Sequence, residues 1–341
     1  MNTVPPTVLA LQALLQSRPD LTTALTASLQ RAARPGVPTL ADYFAFLQEM
    51  VTLIPTDRNL HRFVLQFYYL IDQSPDGLLR SDESFQMWSR TFAQDWGLFL
   101  DTPASAAGIA SFRANPDYHF DDYAPAPSGW LTFNQFFARH VRPGKRPIAG
   151  LCDDRVVVSP ADSVYQGQWR IDAESSITAK GFTWSVPGLL AGSPYRERFQ
   201  GGVFTHSFLN VNDYHHFHVP VGGLVKEVRK IPGRVTMDVV KRADGSLGIV
   251  DGTGYQFSQD RGLIVIDSPV GLVAVLPIGM AQVSSVNLTV EVGSTLHKGE
   301  EFGYFSFGGS DIVTLFEPNR VELTAKIDLH YKQGRQIGHA R

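Results

Sequence analysis

The chain has 341 residues, of which 43% are hydrophobic and 18% charged, a composition typical of one large or about two medium-sized globular domains. Its net charge of -3 offers no basic surface of the kind that binds nucleic acid. The single cysteine, Cys152, excludes both an internal disulfide framework and a cluster of thiolate metal ligands, and it fits a reducing compartment.

The first apolar run, Val8–Leu15, is interrupted by Gln12 and is not preceded by a basic stretch. A signal peptide would need both an uninterrupted apolar run and that basic flank, so none is predicted. No segment approaches the roughly 18 apolar residues that cross a bilayer. We therefore expect a soluble, cytoplasmic protein with no stable membrane anchor and no nucleic-acid partner.

Residues 1–125 are predicted to form a helical domain. Thr39 and Asp42 have the spacing of a capping box and are followed by apolar residues at helical intervals. Residues 58–73 predict a second amphipathic helix, and a third is predicted from Ser81, with Gly97 at its C-cap. Pro, Asp, Ala and Tyr then dominate residues 115–129, which indicates a linker or wrapping loop.

Residues 126–341 are predicted to form a second, mostly β domain. From Arg155 onward, short β-branched runs alternate with glycine turns, and one short helix is predicted near Ser185. The fold class is therefore predicted as α+β, a helical N-terminal domain followed by a mostly antiparallel sandwich or barrel.

Three polar patches interrupt the β half. Asp162 lies in the segment Ser159–Ser163, histidines occupy positions 215, 216 and 218 in the segment Asn212–Pro220, and two glycines precede Ser310 in the segment Glu300–Val313. On a strand, His216 and His218 share a face while His215 points to the other side.

Two of the patches, the histidines and the Gly-Ser pair, each have an ordinary alternative explanation. The histidines could bind zinc, but no carboxylate or thiolate partner is marked beside them, and unliganded structural histidines are the default. Gly309 followed by Ser310 could be a simple glycine turn. The combination is more informative, because Asp, His and Ser in separate segments can form a relay that activates the serine hydroxyl.

From about residue 130 to residue 341, the sequence resembles the phosphatidylserine decarboxylase family. Five segments match family motifs in order: FNQFFARHVRPGKRPI, SPADS, ITAKGFTWSVPGLL, NDYHHFHVPVGG and KGEEFGYFSFGGSDIV. The fourth is similar to the family's D-Y-H-R-x-H-x-P-x-x-G, and the fifth to K-G-E-E-x-G-x-F-x-x-G-S-T-V.

The resemblance implies a self-processing enzyme. Ser310 would attack the carbonyl of Gly309, and the resulting ester would eliminate, leaving a covalent pyruvoyl group at the start of the shorter chain. By motif, His218 is implied as the base of self-cleavage with Asp162 as its partner, and His215 as the histidine of decarboxylation. The pyruvoyl carbonyl would bind the substrate amine as a Schiff base, so neither PLP nor a metal is expected.

A second Gly-Ser pair lies in Val292–Thr295, but it precedes the KGEEFGYF run, whereas the family's reactive serine follows that run. Gly293–Ser294 is therefore predicted to be a turn between strands. Two positions depart from the family pattern: Asp311 replaces the usual threonine and Ser163 the usual glycine. A carboxylate at Asp311 is expected to alter either self-cleavage or the substrate pocket.

The helical N-terminal region resembles the extra domain of soluble members that decarboxylate free amino acids, including tryptophan. A free L-amino acid, with an aromatic one favoured, is therefore the expected substrate. Phosphatidylserine itself and a processing-deficient, ligand-binding β module are the alternatives. The resemblance also allows a homodimer.

Overall fold

The computed structural model describes residues 4–179, 182–250, 255–279, 285–307 and 310–341. These residues group into two compact units. The helical unit contains Met1–Asn115, Trp130–Phe136 and Arg234–Tyr255, and the β unit contains Pro116–Gly129, Phe137–Gly233 and Gln256–Arg341. The predicted domain boundary between residues 125 and 126 stays a prediction.

The α-helices of the described residues are α1 (Pro6–Ser17), α2 (Pro19–Ala32), α3 (Leu40–Met50), α4 (Leu60–Asp72), α5 (Leu78–Ser81), α6 (Glu83–Leu100), α7 (Ile109–Arg113), α8 (Phe133–Phe137) and α9 (Val186–Leu189). The strands are β1 (Val156–Val158), β2 (Ser163–Arg170), β3 (Ser176–Ala179), β4 (Phe182–Ser185), β5 (Val203–Leu209), β6 (His216–His218), β7 (Gly223–Ile231), β8 (Val239–Lys241), β9 (Leu247–Ile249), β10 (Arg261–Ser268), β11 (Gly271–Gly279), β12 (Val286–Leu288), β13 (Thr295–Leu296), β14 (Glu301–Phe305), β15 (Ser310–Phe316), β16 (Val321–Leu323), β17 (His330–Tyr331) and β18 (Gln336–Ala340).

Local signals position the helices of the helical unit. The predicted capping box is confirmed, because the Thr39 side chain accepts from the backbone N–H of Asp42 and the Asp42 side chain accepts from that of Thr39. The apolar stripes form the core: Phe67 of α4 stacks on Phe92 of α6 at 5.5 Å between ring centroids. Burying each such ring contributes about 1.5–3 kcal/mol. Among the described residues, no helix is both long and apolar enough to cross a membrane.

The predicted C-cap at Gly97 is wrong. Helix α6 continues through Gly97 to Leu100, and Asp101 follows as its C-cap. Trp96 and Leu100 are 1% exposed and lie one turn apart, so the buried stripe continues past the glycine. Burial of Leu100 outweighs the cost of an interior glycine, about 1 kcal/mol.

The β unit is built around an eight-stranded antiparallel sheet with the order β13-β7-β10-β11-β15-β5-β2-β17. Smaller sheets β1-β18-β16 and β12-β14-β6 and the hairpin β3-β4 complete the unit. The mostly antiparallel β domain is confirmed, but the large sheet is open, with β13 and β17 at its edges, so the barrel alternative is wrong. The short helix predicted near Ser185 is α9, for which the Ser185 side chain provides the N-cap.

One face of the large sheet carries the main core of the β unit. Val313 and Leu315 of β15 and Phe204 of β5 point into this core, which α9 covers with Val186 and Leu189. Because side chains alternate along a strand, Ser310 faces away from this core while Asp311 faces towards it. Position 310 is therefore on the opposite surface of the sheet from its neighbour.

Candidate active site

Ser310 is the first residue of β15, an interior strand of the large sheet. It pairs with Gly279 of β11 on one side and with Leu209 of β5 on the other, and its side chain is fully buried. Gly309, the other half of the predicted cleavage site, lies outside the described residues. The rejected pair is in a different setting, since Gly293 has a φ of 93° in an exposed turn before β13.

His215 lies directly beside Ser310. Its Nδ1 is 3.2 Å from Ser310 Oγ, its ring stacks on Phe137 with 3.9 Å between centroids, and the residue is 0% exposed. Burial, helped by the positive charge of Arg139, lowers the pKa of His215 to about 3. A neutral imidazole at this position can accept the proton of the serine hydroxyl.

His218 lies on the other side of the short strand β6 and contacts a different set of groups. Its Nδ1 donates to the Gly299 carbonyl at 2.9 Å, which leaves Nε2 to accept from the Tyr214 hydroxyl at 3.2 Å. Burial lowers the pKa of His218 to about 4, and burial likewise raises that of Tyr214 well above its usual value. Among the described residues, no hydrogen bond joins His218 to Ser310.

Asp162 immediately precedes β2 and is held by Arg146. The guanidinium donates from Nε to Oδ1 at 2.8 Å and from Nη2 to Oδ2 at 2.5 Å, and the backbone N–H of Gln333 donates to Oδ1 at 2.8 Å. The Arg146 guanidinium carbon lies 6.0 Å from the centre of the Tyr214 ring. Asp162 thus reaches His218 by its charge and through Arg146 and Tyr214 rather than by a hydrogen bond of its own.

The structure therefore divides the four predicted residues into two groups. Ser310 and His215 are in contact, whereas Asp162 and His218 belong to a neighbouring polar network. Sequence reasoning missed Arg146 and Tyr214, the residues that connect this network. Both lie inside motif segments, but nothing in their spacing showed that they would meet.

Sequence reasoning also missed the partner of Asp311. Nε2 of His206, on β5, lies 2.6 Å from Asp311 Oδ1, and both side chains are essentially fully buried. The His206 ring meets Phe257 edge to face at 5.3 Å between centroids. The carboxylate that was expected to disturb Ser310 is thus paired on the opposite face of the strand. The alternation of side chains along β5 could place His206 on one face of its strand. It could not show that this strand pairs with β15, because the two segments lie more than 90 residues apart.

The residues around Ser310 fit a group formed from the serine itself. A pyruvoyl group derived from Ser310 would remain covalently attached at the start of β15, in a buried position beside a neutral imidazole. No separate binding pocket is needed for it.

Comparison with known proteins gives a consistent result. The family model described as phosphatidylserine decarboxylase matches residues 133–339. Phosphatidylserine decarboxylase proenzyme 3 of Schizosaccharomyces pombe is 35% identical over 258 residues, which cover 73% of this chain and 26% of that protein. The proenzyme of Fusobacterium nucleatum is 27% identical over 305 residues, covering 87% of this chain and 97% of that protein.

A relative with a different name also matches. Decarboxylase iboD of Amanita muscaria is 27% identical over 295 residues, covering 74% of this chain and 83% of that protein. Coverage of the relatives varies widely: the chain spans 26% of the fission yeast protein and 40% of proenzyme 2 of Oryza sativa.

Proposed function

Because the chain belongs to the phosphatidylserine decarboxylase family, we propose that it is a pyruvoyl-dependent decarboxylase that generates its pyruvoyl group from Ser310 by cutting its own chain after Gly309. The observation that carries the proposal is the position of Ser310: it is fully buried at the start of β15, with its Oγ 3.2 Å from His215 Nδ1, so a group formed from it would lie beside a histidine. In self-cleavage, the hydroxyl oxygen attacks the preceding carbonyl carbon and the amide becomes an ester. Elimination and hydrolysis then leave the pyruvoyl group and release ammonia.

Two histidines are available for the two stages of this chemistry. We assign His218, with Asp162 as partner, to self-cleavage and His215 to decarboxylation, as the family motif implies. The contact of His215 with Ser310 supports its assignment, because the reacting carbon atoms of the substrate must meet the group that replaces this side chain. The bound pyruvoyl supplies an electron sink for loss of CO2. His215, which lies beside that group, is positioned to transfer a proton to the substrate carbon.

The two assignments predict different products from single variants. His218→Ala should leave the chain intact on a denaturing gel, whereas His215→Ala should be cut but inactive. The reverse pattern, an intact His215→Ala and a cut His218→Ala, would instead make the histidine that touches Ser310 the base of self-cleavage.

For the substrate, we propose a free L-amino acid, with an aromatic one favoured, in a cytoplasmic protein. The presence of the helical unit and a relative named simply as a decarboxylase support this choice. Phosphatidylserine is the second candidate, supported by the names of the other relatives. The exposed, free Cys152 is compatible with a reducing compartment.

The decisive experiment combines processing with product analysis. The purified wild-type chain should give two bands, the smaller one starting at position 310 with a blocked N-terminus, and Ser310→Ala should give a single band without activity. Mass spectrometry should then detect CO2 loss from one or more free amino acids. Turnover of phosphatidylserine vesicles alone would overturn the substrate proposal, and a wild-type chain that stays intact would overturn the enzyme proposal.

A further inference from the structure

Three metal-ligating side chains from separate parts of the β unit converge beside β6. His140 follows α8, His216 begins β6 and Glu301 begins β14. One donor atom from each lies within 4.8 Å of the other two. His216 Nδ1 is 2.9 Å from Glu301 Oε2, and the rings of His140 and His216 are 4.4 Å apart at their centroids.

The hydrogen bonding of His216 leaves its second nitrogen facing the carboxylate. Nε2 lies 3.0 Å from the Ala138 carbonyl oxygen, which can only accept, so Nε2 carries the hydrogen. When the ring is neutral, Nδ1 carries a lone pair that points at the Glu301 carboxylate. Nδ1 and Oε2 are then two hydrogen-bond acceptors 2.9 Å apart, and a cation or a proton must lie between them. This arrangement is also typical of metal-bound histidine, whose other N–H usually donates to a carbonyl or carboxylate.

The His216 ring is held in place by its surroundings, whereas the His140 ring is accessible to solvent. The His216 ring is buried and stacks on Tyr214, with 5.0 Å between centroids and 10° between planes. His140 is exposed, so the group is open to solvent on that side. Donor atoms bound to one zinc ion lie about 3–3.5 Å apart. His216 and Glu301 already lie close to this separation, and the exposed His140 ring has a donor atom within 4.8 Å of both.

We propose that His140, His216 and Glu301 bind one divalent transition-metal ion of the Zn2+ class. Two imidazoles and one carboxylate suit Zn2+, Co2+ or Ni2+ and do not suit Mg2+ or Ca2+, which prefer oxygen ligands. Three protein ligands leave a coordination position for water. The sequence-based expectation of no metal depended on the lack of a marked partner beside the histidines. The fold supplies two partners, and of the three neighbouring histidines only His216 belongs to the set.

This site does not depend on processing of Ser310, so it is tested by binding. The untagged full-length chain, stripped with a chelator, is titrated with Zn2+ by calorimetry and with Co2+ by visible absorption. We expect one ion per chain, and we expect His140→Ala and Glu301→Gln each to weaken binding about tenfold or more. His339→Ala is the matched control, because His339 also lies near a glutamate, Glu322 at 3.9 Å, but on an exposed surface.

Each outcome decides the proposal. Stoichiometric binding that His140→Ala and Glu301→Gln weaken and His339→Ala preserves supports it. Absence of Zn2+ and Co2+ binding, unchanged affinity in both ligand variants, or equal loss in the His339→Ala control overturns it. Circular dichroism checks that each variant is folded; if Glu301→Gln is not, the exposed His140→Ala alone carries the test.

Discussion

Removing His206 tests whether the buried pair with Asp311 stabilises the strand that carries Ser310. His206→Ala deletes one partner of a 2.6 Å contact between side chains that are 1% and 0% exposed. Deleting one partner of a buried hydrogen bond costs about 1–3 kcal/mol. Because the imidazole also packs on Phe257, we expect a loss of about 3 kcal/mol in the free energy of unfolding.

The double variant gives the sharper comparison. Asp311→Thr places the residue of the family motif at this position and removes the carboxylate that His206 contacts. The combination His206→Ala with Asp311→Thr should therefore be more stable than the sum of the single losses predicts, by about 1–3 kcal/mol. Urea denaturation followed by far-UV circular dichroism measures all four chains, each carrying Ser310→Ala so that cleavage does not change the reference state.

His339→Ala serves here as the matched surface control. Its carboxylate neighbour is 58% exposed, and ion pairs of that kind contribute little. The reasoning would be refuted if His206→Ala lowered stability no more than this control, or if the two changes at positions 206 and 311 were simply additive.

Three further variants test other charged groups. Burial raises the pKa of Asp72 to about 7, so the folded state holds this proton more tightly than the unfolded state does, and stability falls as pH rises from about 4 to 7. Asp72→Asn should therefore raise the free energy of unfolding, measured by urea denaturation, by at most about 4 kcal/mol at pH 8. It should have little effect at pH 4. Contact with Asp213 raises the pKa of His330, and the stability this adds is present below the unfolded pKa and lost as pH rises through the folded one. His330→Gln should therefore lower the thermal midpoint more at pH 5.5 than at pH 9, and an equal loss at both values would contradict this linkage. Arg146→Met leaves the Asp162 carboxylate buried without its guanidinium, so we expect about 3 kcal/mol less stability and slower appearance of the smaller band on a denaturing gel, and wild-type rates with wild-type stability would contradict it.

The helical unit was predictable where its signals are local. The capping box at Thr39 uses residues three apart, and the stripe through Phe92 and Trp96 repeats once per turn. Gly97 shows the limit of this reasoning, because burial of Leu100 decided the end of the helix and burial is a tertiary property.

The candidate site was predictable only in part, for a topological reason. Motif order indicated Ser310 and the histidine segment as candidates, and strand alternation separated His215 from His218. The contacts themselves depend on strand pairing in the folded chain: His215 with Ser310, His206 with Asp311, and His216 with Glu301. Those contacts join segments between about 85 and 105 residues apart, so no local pattern records them.

The position of β15 within the large sheet has a consequence for the products of a cut before Ser310. Seven residues of β15 pair with β11 on one side and with β5 on the other, and β17 pairs with β2 at the sheet edge. The released piece would therefore keep two full ladders of hydrogen bonds to the longer piece and would form part of its interior. The two products would co-elute on native chromatography as a single particle of unchanged mass. The new chain end would be held between neighbouring strands, so its position would be as fixed as that of any residue in the uncut sheet.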